Sequence, residues 1–311
     1  MHAMLNEIVT SLAAGEVVPY LGPELLEQGG ENPVPASFEG LAARLSARVT
    51  VPFKIRTNMT AAAQYIENYK HRKTLVAVMS EIFQPPVAPS ALHRYLASLP
   101  NLPLLVDTWY DAAAQFSLAG RPNWGQIQGV SRAEHRDQWV KYYQADGTET
   151  DEAQAAGWDT VLYKPFGSIA PAANFIVSDS DFVEVLTEID IQTPIPSRVQ
   201  TLRSGRRFLF IGCRFRNQLE RAYARQTMKR SSLGPHWAVL PGELTRNEIK
   251  FLEEQNIQRL DIAPADFLAA LHELPVRGHD CGCGAFDSTW AENSRPPMGN
   301  LKDWSMSEPV T

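Results

Sequence analysis

Cysteine is scarce in this chain: Cys213, Cys281 and Cys283 are the only three in 311 residues. An odd, small number of thiols excludes a disulfide framework. A basic excess is missing as well. Lys and Arg number 29 against 35 Asp and Glu, a net charge of −6, and this balance argues against a nucleic-acid partner. Local basic clusters remain at Arg203, Arg206 and Arg207 and at Lys229 and Arg230. No apolar run approaches the length that spans a bilayer. The opening stretch "MHAMLNEIVTSLAAGEVV" has neither a basic leader nor a long apolar centre. With Leu5, Ile8, Val9 and Leu12 on one face, it reads as an amphipathic helix rather than a secretion signal. These absences lead us to expect a cytoplasmic protein without a membrane partner. Its 44% hydrophobic and 21% charged residues suffice for one large domain or two modest ones.

Along the chain, short apolar runs end in turn residues and give way to helical periodicity. "VVPYL" reads as a buried strand closed by Gly22, although Pro19 sits awkwardly inside it because a central strand uses every N–H. The strand either starts late, at Tyr20, or carries a bulge. "ASFEGLAARLSARV" reads as a helix capped by Ser37, and "TAAAQYIENYKHRKTLVAVMSEIF" as helical with Thr60 as cap. The strands "PLLVDT", "TVLYK", "RRFLFIG", "HWAVL" and "IQRLDI" follow, with helical segments among them. This alternation predicts an α/β fold: a doubly wound, mostly parallel, Rossmann-like sheet with helices on both faces. The domain is expected over 1–275, with a small inserted module of short strands at about 112–158 and an irregular Gly/Pro/Ser-rich tail over 276–311. Ligands of such sheets bind at the carboxyl ends of the strands, where strand order reverses.

The turns at those strand ends carry a set of motifs. "YLGPELLEQGG" precedes a Pro-containing loop and a helix, "VDTWYD" matches Thr-Asn-Tyr-Asp at three of four places, and "LYKPFGSI" is like Leu-Tyr-Lys-Leu-His-Gly-Ser. "NFIVSDSDFVEVL" and "FLFIGCRFRNQLERAYA" follow in order. Over roughly residues 16 to 262 this succession resembles the sirtuin-like family. The resemblance implies a fold that binds NAD and breaks its nicotinamide–ribose bond. In that family an Asn positions a water or the ribose hydroxyls, a His acts as general base, and glycines admit the pyrophosphate to backbone amides.

The chain departs from the pattern where the chemistry sits. Trp109 stands at the Asn position and Phe166 at the His position, and neither side chain accepts a proton at neutral pH. Pro23 removes an amide donor and Glu24 brings a negative charge toward the place of a pyrophosphate. The reading that follows is a catalytically degenerate, sirtuin-like binding module for a nucleotide-like ligand, such as NAD or ADP-ribose, or for a protein partner. Its candidate site comprises Gly22, Thr108, Trp109, Asp111, Phe166, Gly167, Ser168, Gly212, Arg214 and Asn217. Trp109 and Phe166 either plug a disused cleft, the preferred reading, or form a stacking platform for a flat ligand. Arg214 or Arg216 meets a phosphate, or Arg214 pairs with an acid such as Glu220.

Two alternatives stay open. One is an NAD glycohydrolase-like enzyme with relocated catalytic carboxylates, Asp111 and Glu24 being the candidates. The other is a metal or redox assembly factor using "RGHDCGCGAF", in which His279, Cys281 and Cys283 offer donors to zinc or an iron–sulfur species. Two protomers about a twofold axis would then supply four thiolates, a metal-bridged homodimer. Cys213, behind a buried strand, reads as a core residue; His93 reads as a helix-surface or helix-packing residue, and His236 shows no partner in the sequence.

Overall fold

The computed structural model describes residues 2–29, 32–191 and 195–273. They belong to one unit, Met1–Val276; the tail over 276–311, with His279, Cys281 and Cys283, lies outside the described residues. Among the described residues eleven strands are formed: β1 Val17–Leu21, β2 Leu104–Asp107, β3 Trp124–Gly129, β4 Val140–Gln144, β5 Glu149–Thr150, β6 Thr160–Lys164, β7 Gly167–Ser168, β8 Asn174–Phe175, β9 Arg207–Ile211, β10 His236–Val239 and β11 Ile257–Leu260. The helices are α1 His2–Ala13, α2 Phe38–Arg48, α3 Met59–Lys70, α4 Arg72–Phe83, α5 Ala91–Ser98, α6 Ala113–Ser117, α7 Glu152–Ala155, α8 Asp179–Ile191, α9 Ser197–Arg203, α10 Gln218–Met228, α11 Arg246–Glu254 and α12 Pro264–Glu273. Among the described residues, no helix is long and apolar enough to cross a membrane.

Nine strands make one sheet in the order β11-β10-β9-β1-β2-β6-β3-β4-β5. Pairing is parallel from β11 to β3, and antiparallel between β3, β4 and β5. Alternate residues of each buried strand point to opposite faces, so each strand feeds two cores. Val18 and Tyr20 join a core with α2–α4 and α8–α11, whereas Val17 and Leu21 join one with α1, α5 and α12. Burial on both faces explains why these strands read as continuous apolar runs.

Pro19 is tolerated for a reason of register. The Leu21 carbonyl accepts from Thr108 N on the β2 side, so by alternation Pro19 turns its missing N–H to that side as well. Pairing with β2 begins only at Tyr20, whereas β9 pairs with all five residues of β1. The strand therefore starts late toward one neighbour only.

Other details differ from the sequence reading. The α3 helix is capped by Asn58, whose side chain accepts from Ala61 N, and Thr60 instead bonds to that cap. The expected helical stretch breaks at His71, where φ is 70°, into α3 and α4. Arg72, just past the break, ties α4 to α8 and β8: it reaches Asp181 at 2.8 Å and Glu134 at 3.1 Å and donates to the Phe175 carbonyl. The short strands expected within 112–158 are present as β3–β5, which lie at one end of the main sheet.

Both histidines considered above are buried. His93 closes a capping box with Ser90 at the start of α5. His236 does have a partner: its Nδ1 accepts from Phe208 N at 3.0 Å, continuing the β9–β10 ladder. Burial lowers both imidazoles from 6.5 to about 4. A folded-state pKa depressed in this way gives stability that is complete above 6.5 and is lost as pH falls from 6.5 to 4. In His236→Asn the amide oxygen can take the place of Nδ1 without titrating. Its unfolding free energy should fall less steeply across that window, by up to about 1.4 kcal/mol per pH unit. Urea titrations at stepped pH check this, and an unchanged slope would contradict the neutral, accepting imidazole.

Candidate functional site at the strand ends

The chain runs outward from β1 to β2 and later returns to lay β9 on the other side of β1, so strand order reverses between β1 and β9. Two of the expected residues meet there. Gly22 N donates to the Ile211 carbonyl at 2.9 Å, and Glu24 N to the Gly212 carbonyl at 3.1 Å. A Cβ on Gly22 would lie 2.3 Å from the Gly212 oxygen, and one on Gly212, where φ is +72°, 2.5 Å from Leu25 N. The backbones touch, and only glycine fits at either position. Leu25 N turns back to the Gly22 carbonyl at 3.3 Å, and Pro23 has no N–H. Every amide from Gly22 to Leu25 is thus used inside the protein or missing. The chain continues as a short 3₁₀ turn, Pro23–Gly29, with Leu25 and Leu26 buried.

At the end of β2, Thr108 donates from both its amide and its hydroxyl to the Leu21 carbonyl, at 3.0 and 2.8 Å. Trp109 is buried at 1% exposure. Its indole N–H donates to the Pro35 carbonyl at 2.7 Å, and its ring meets Phe38, Phe83 and Tyr110 at centroid distances of 5.4, 5.9 and 5.1 Å. Phe166, at 3% exposure, lies edge-on to Phe182 and Tyr223 at 5.0 and 4.7 Å. Both rings belong to the same core as α2–α4.

The two strand-end turns are stitched directly. Ile169 N donates to the Tyr110 carbonyl at 2.8 Å, and Ser168 Oγ to the Asp111 carbonyl at 3.2 Å. Gly167, at φ +85°, lets the chain turn against Asn174, whose carbonyl would lie 2.0 Å from an added Cβ. The Asp111 carboxylate accepts from Ala113 N at 2.8 Å.

Arg214 and Asn217 take structural roles. Arg214 donates to the Pro241 and Glu243 carbonyls at 2.6 and 2.9 Å, and its Nε lies 3.5 Å from Glu248 Oε1. Its acid is therefore the fully buried Glu248, not Glu220. Asn217 caps α10 by accepting from Glu220 N at 2.8 Å, and Glu220 completes the box by accepting from Asn217 N. Burial and the charges of Glu24 and Glu39 raise the Glu220 carboxyl to about 7, although its bond from Asn217 N pulls the other way. Burial also raises Glu24, opposed by Arg216 and Arg214, and the Arg216 guanidinium is 3.8 Å away. Cys213 is buried, its thiol pushed up by burial and then by Glu220.

One element of this region escaped the sequence reading. Lys164, the last residue of β6, is 1% exposed and forms a 2.7 Å ion pair with Asp107, the last residue of β2. Its Nζ also donates to the Asp111 carbonyl at 2.9 Å, and Asp107 accepts from Trp109 N at 3.0 Å. Burial raises Asp107 to about 6 against the opposing pull of Lys164. The usable signal was a Lys and an Asp each closing an otherwise apolar strand, since neither is buried unpaired. Among the described residues, no group of three or more His, Cys, Asp or Glu is arranged to hold a metal.

The strands and turns thus form a doubly wound α/β sheet with its switch point between β1 and β9. The family model for the SIR2-like domain matches residues 103–260, half of the chain, and the chain belongs to that family. No curated protein matches it. A solved structure titled "Structural Basis for the Mechanism and Regulation of Sir2 Enzymes" is similar at 12% identity with a TM-score of 0.45, covering 86% of this chain and 95% of that one.

The buried pair yields a stability test. Lys164→Met leaves Asp107 without its counter-charge and should cost about 3–5 kcal/mol. Adding Asp107→Asn, which keeps the acceptor for Trp109 N while removing the charge, should recover at least half. Equilibrium urea unfolding of the two variants measures this; a double variant no more stable than the single one would contradict the pairing.

Proposed function

We propose that this SIR2-like protein is a catalytically degenerate binding module, and that a protein partner suits it better than NAD or ADP-ribose. The observation that carries the reading is the pair of rings at the two positions that matter most for NAD cleavage. Trp109 and Phe166 are buried and held by ring contacts, and Trp109 by a hydrogen bond as well. Neither offers the amide that would position a water or ribose hydroxyl, nor the base that would take its proton.

The residues present do not fit a dinucleotide held in the family's manner. A pyrophosphate needs free amides and positive charge. The amides from Gly22 to Leu25 are used or missing, Glu24 and Glu220 stand nearby, and the Arg214 fork is occupied by two carbonyls and Glu248. Asp111 is an unfavourable substitute base, since its carboxylate serves the Ala113 amide at 3% exposure. These facts favour the plug over the stacking platform.

Incubating the purified protein with NAD should release no nicotinamide above buffer, by chromatography, and Asp111→Asn and Glu24→Gln should leave that blank unchanged. Nicotinamide release that Asp111→Asn abolishes would overturn the reading in favour of relocated carboxylates.

A further inference from the structure

We propose that a groove at the far edge of the sheet, around β4, β5 and the start of α9, takes an extended peptide carrying lysine or arginine side chains. This goes beyond the strand-end reading and uses none of its residues. The groove has a volume of about 540 Å³, within the range of small-ligand and peptide side-chain sites. Its apolar lining comes from Trp139, Tyr142 and Ile195, and its charged lining from Lys141, Glu149, Asp151 and Glu152.

Charge and ring chemistry select the occupant. Lys141 is neutralised by Glu149 at 3.0 Å. Asp151 and Glu152 remain, each with one oxygen engaged: Asp151 Oδ1 accepts from Gln154 N at 2.9 Å, and Glu152 Oε1 from the Ser197 hydroxyl. A carboxylate has a second oxygen for a cation. Tyr142 and Trp139 present aromatic rings to the groove. Aromatic faces attract ammonium and guanidinium groups, and the chain demonstrates this at the same wall: the Arg132 guanidinium lies 4.8 Å from the Trp139 ring centroid. Counting Arg132 against the lining, the described residues of the groove still keep one negative charge in excess. An anionic or purely apolar segment would leave that charge uncompensated. The sheet also ends here, since β5 is its terminal strand, and an edge strand is a natural place to receive an extended chain.

The test uses the full chain and fluorescein-labelled peptides of alternating Lys-Ala, Glu-Ala and Ser-Ala, followed by fluorescence anisotropy at physiological ionic strength. The Lys-Ala peptide should bind, with the other two at least about fivefold weaker. The combined variant Asp151→Asn, Glu152→Gln keeps both internal hydrogen bonds and should lose about fivefold in affinity. Glu253→Gln, at an exposed position of α11, should lose nothing and thereby separates the groove from the general negative charge. The proposal is overturned if the Lys-Ala peptide does not bind, if all three peptides bind alike, if the double variant binds as the parent does, or if Glu253→Gln weakens binding as much.

Discussion

The contact on which this structure turns is the meeting of two glycine backbones, Gly22 and Gly212, at the point where strand order reverses. In an open α/β sheet that point is a crevice with free amides around it. Here the chain crosses it. Gly22 and Glu24 give their amides to Ile211 and Gly212, and Leu25 turns back on Gly22. Because Pro23 contributes no donor, the short helical turn that follows can bury Leu25 and Leu26 without leaving an amide open for an anion.

The neighbouring strand ends obey the same constraint. The β2 and β6 turns bond to each other through Tyr110, Asp111, Ser168 and Ile169. The ionisable groups between them are satisfied internally by the Lys164–Asp107 pair. Above this sit rings. Trp109 and Phe166 extend the core shared with α2–α4 up to the level of the turns, and burying a side chain of that size contributes roughly 1.5–3 kcal/mol. The side chains at these turns thus contribute packing and internal bonding.

Much of this was legible in the sequence. Strands buried on both faces appear as unbroken apolar runs, and glycines that terminate them stand out, so β1, β2, β6, β9, β10 and β11 and the turns at 22, 167 and 212 could be placed. Trp109 and Phe166 were conspicuous because most of the motif residues around them are kept. What stayed hidden depends on contacts distant in the chain. Arg214 finds Glu248 on α11, not Glu220 on α10. His236 finds Phe208 N across a strand pair. The break at His71 is set by a single residue at positive φ, and no glycine or proline marks it. The groove by Trp139 unites residues 138–152 with residues 195–200, segments that no local pattern links.

The central claim, that the switch-point crevice is closed by backbone and filled by rings, is tested most directly by amide hydrogen exchange over residues 20–26 and 208–217, with and without NAD. The account predicts slow exchange at Gly22 and Glu24 that NAD leaves unchanged. Rapid exchange in the free protein, with protection of those amides when NAD is added, would contradict it.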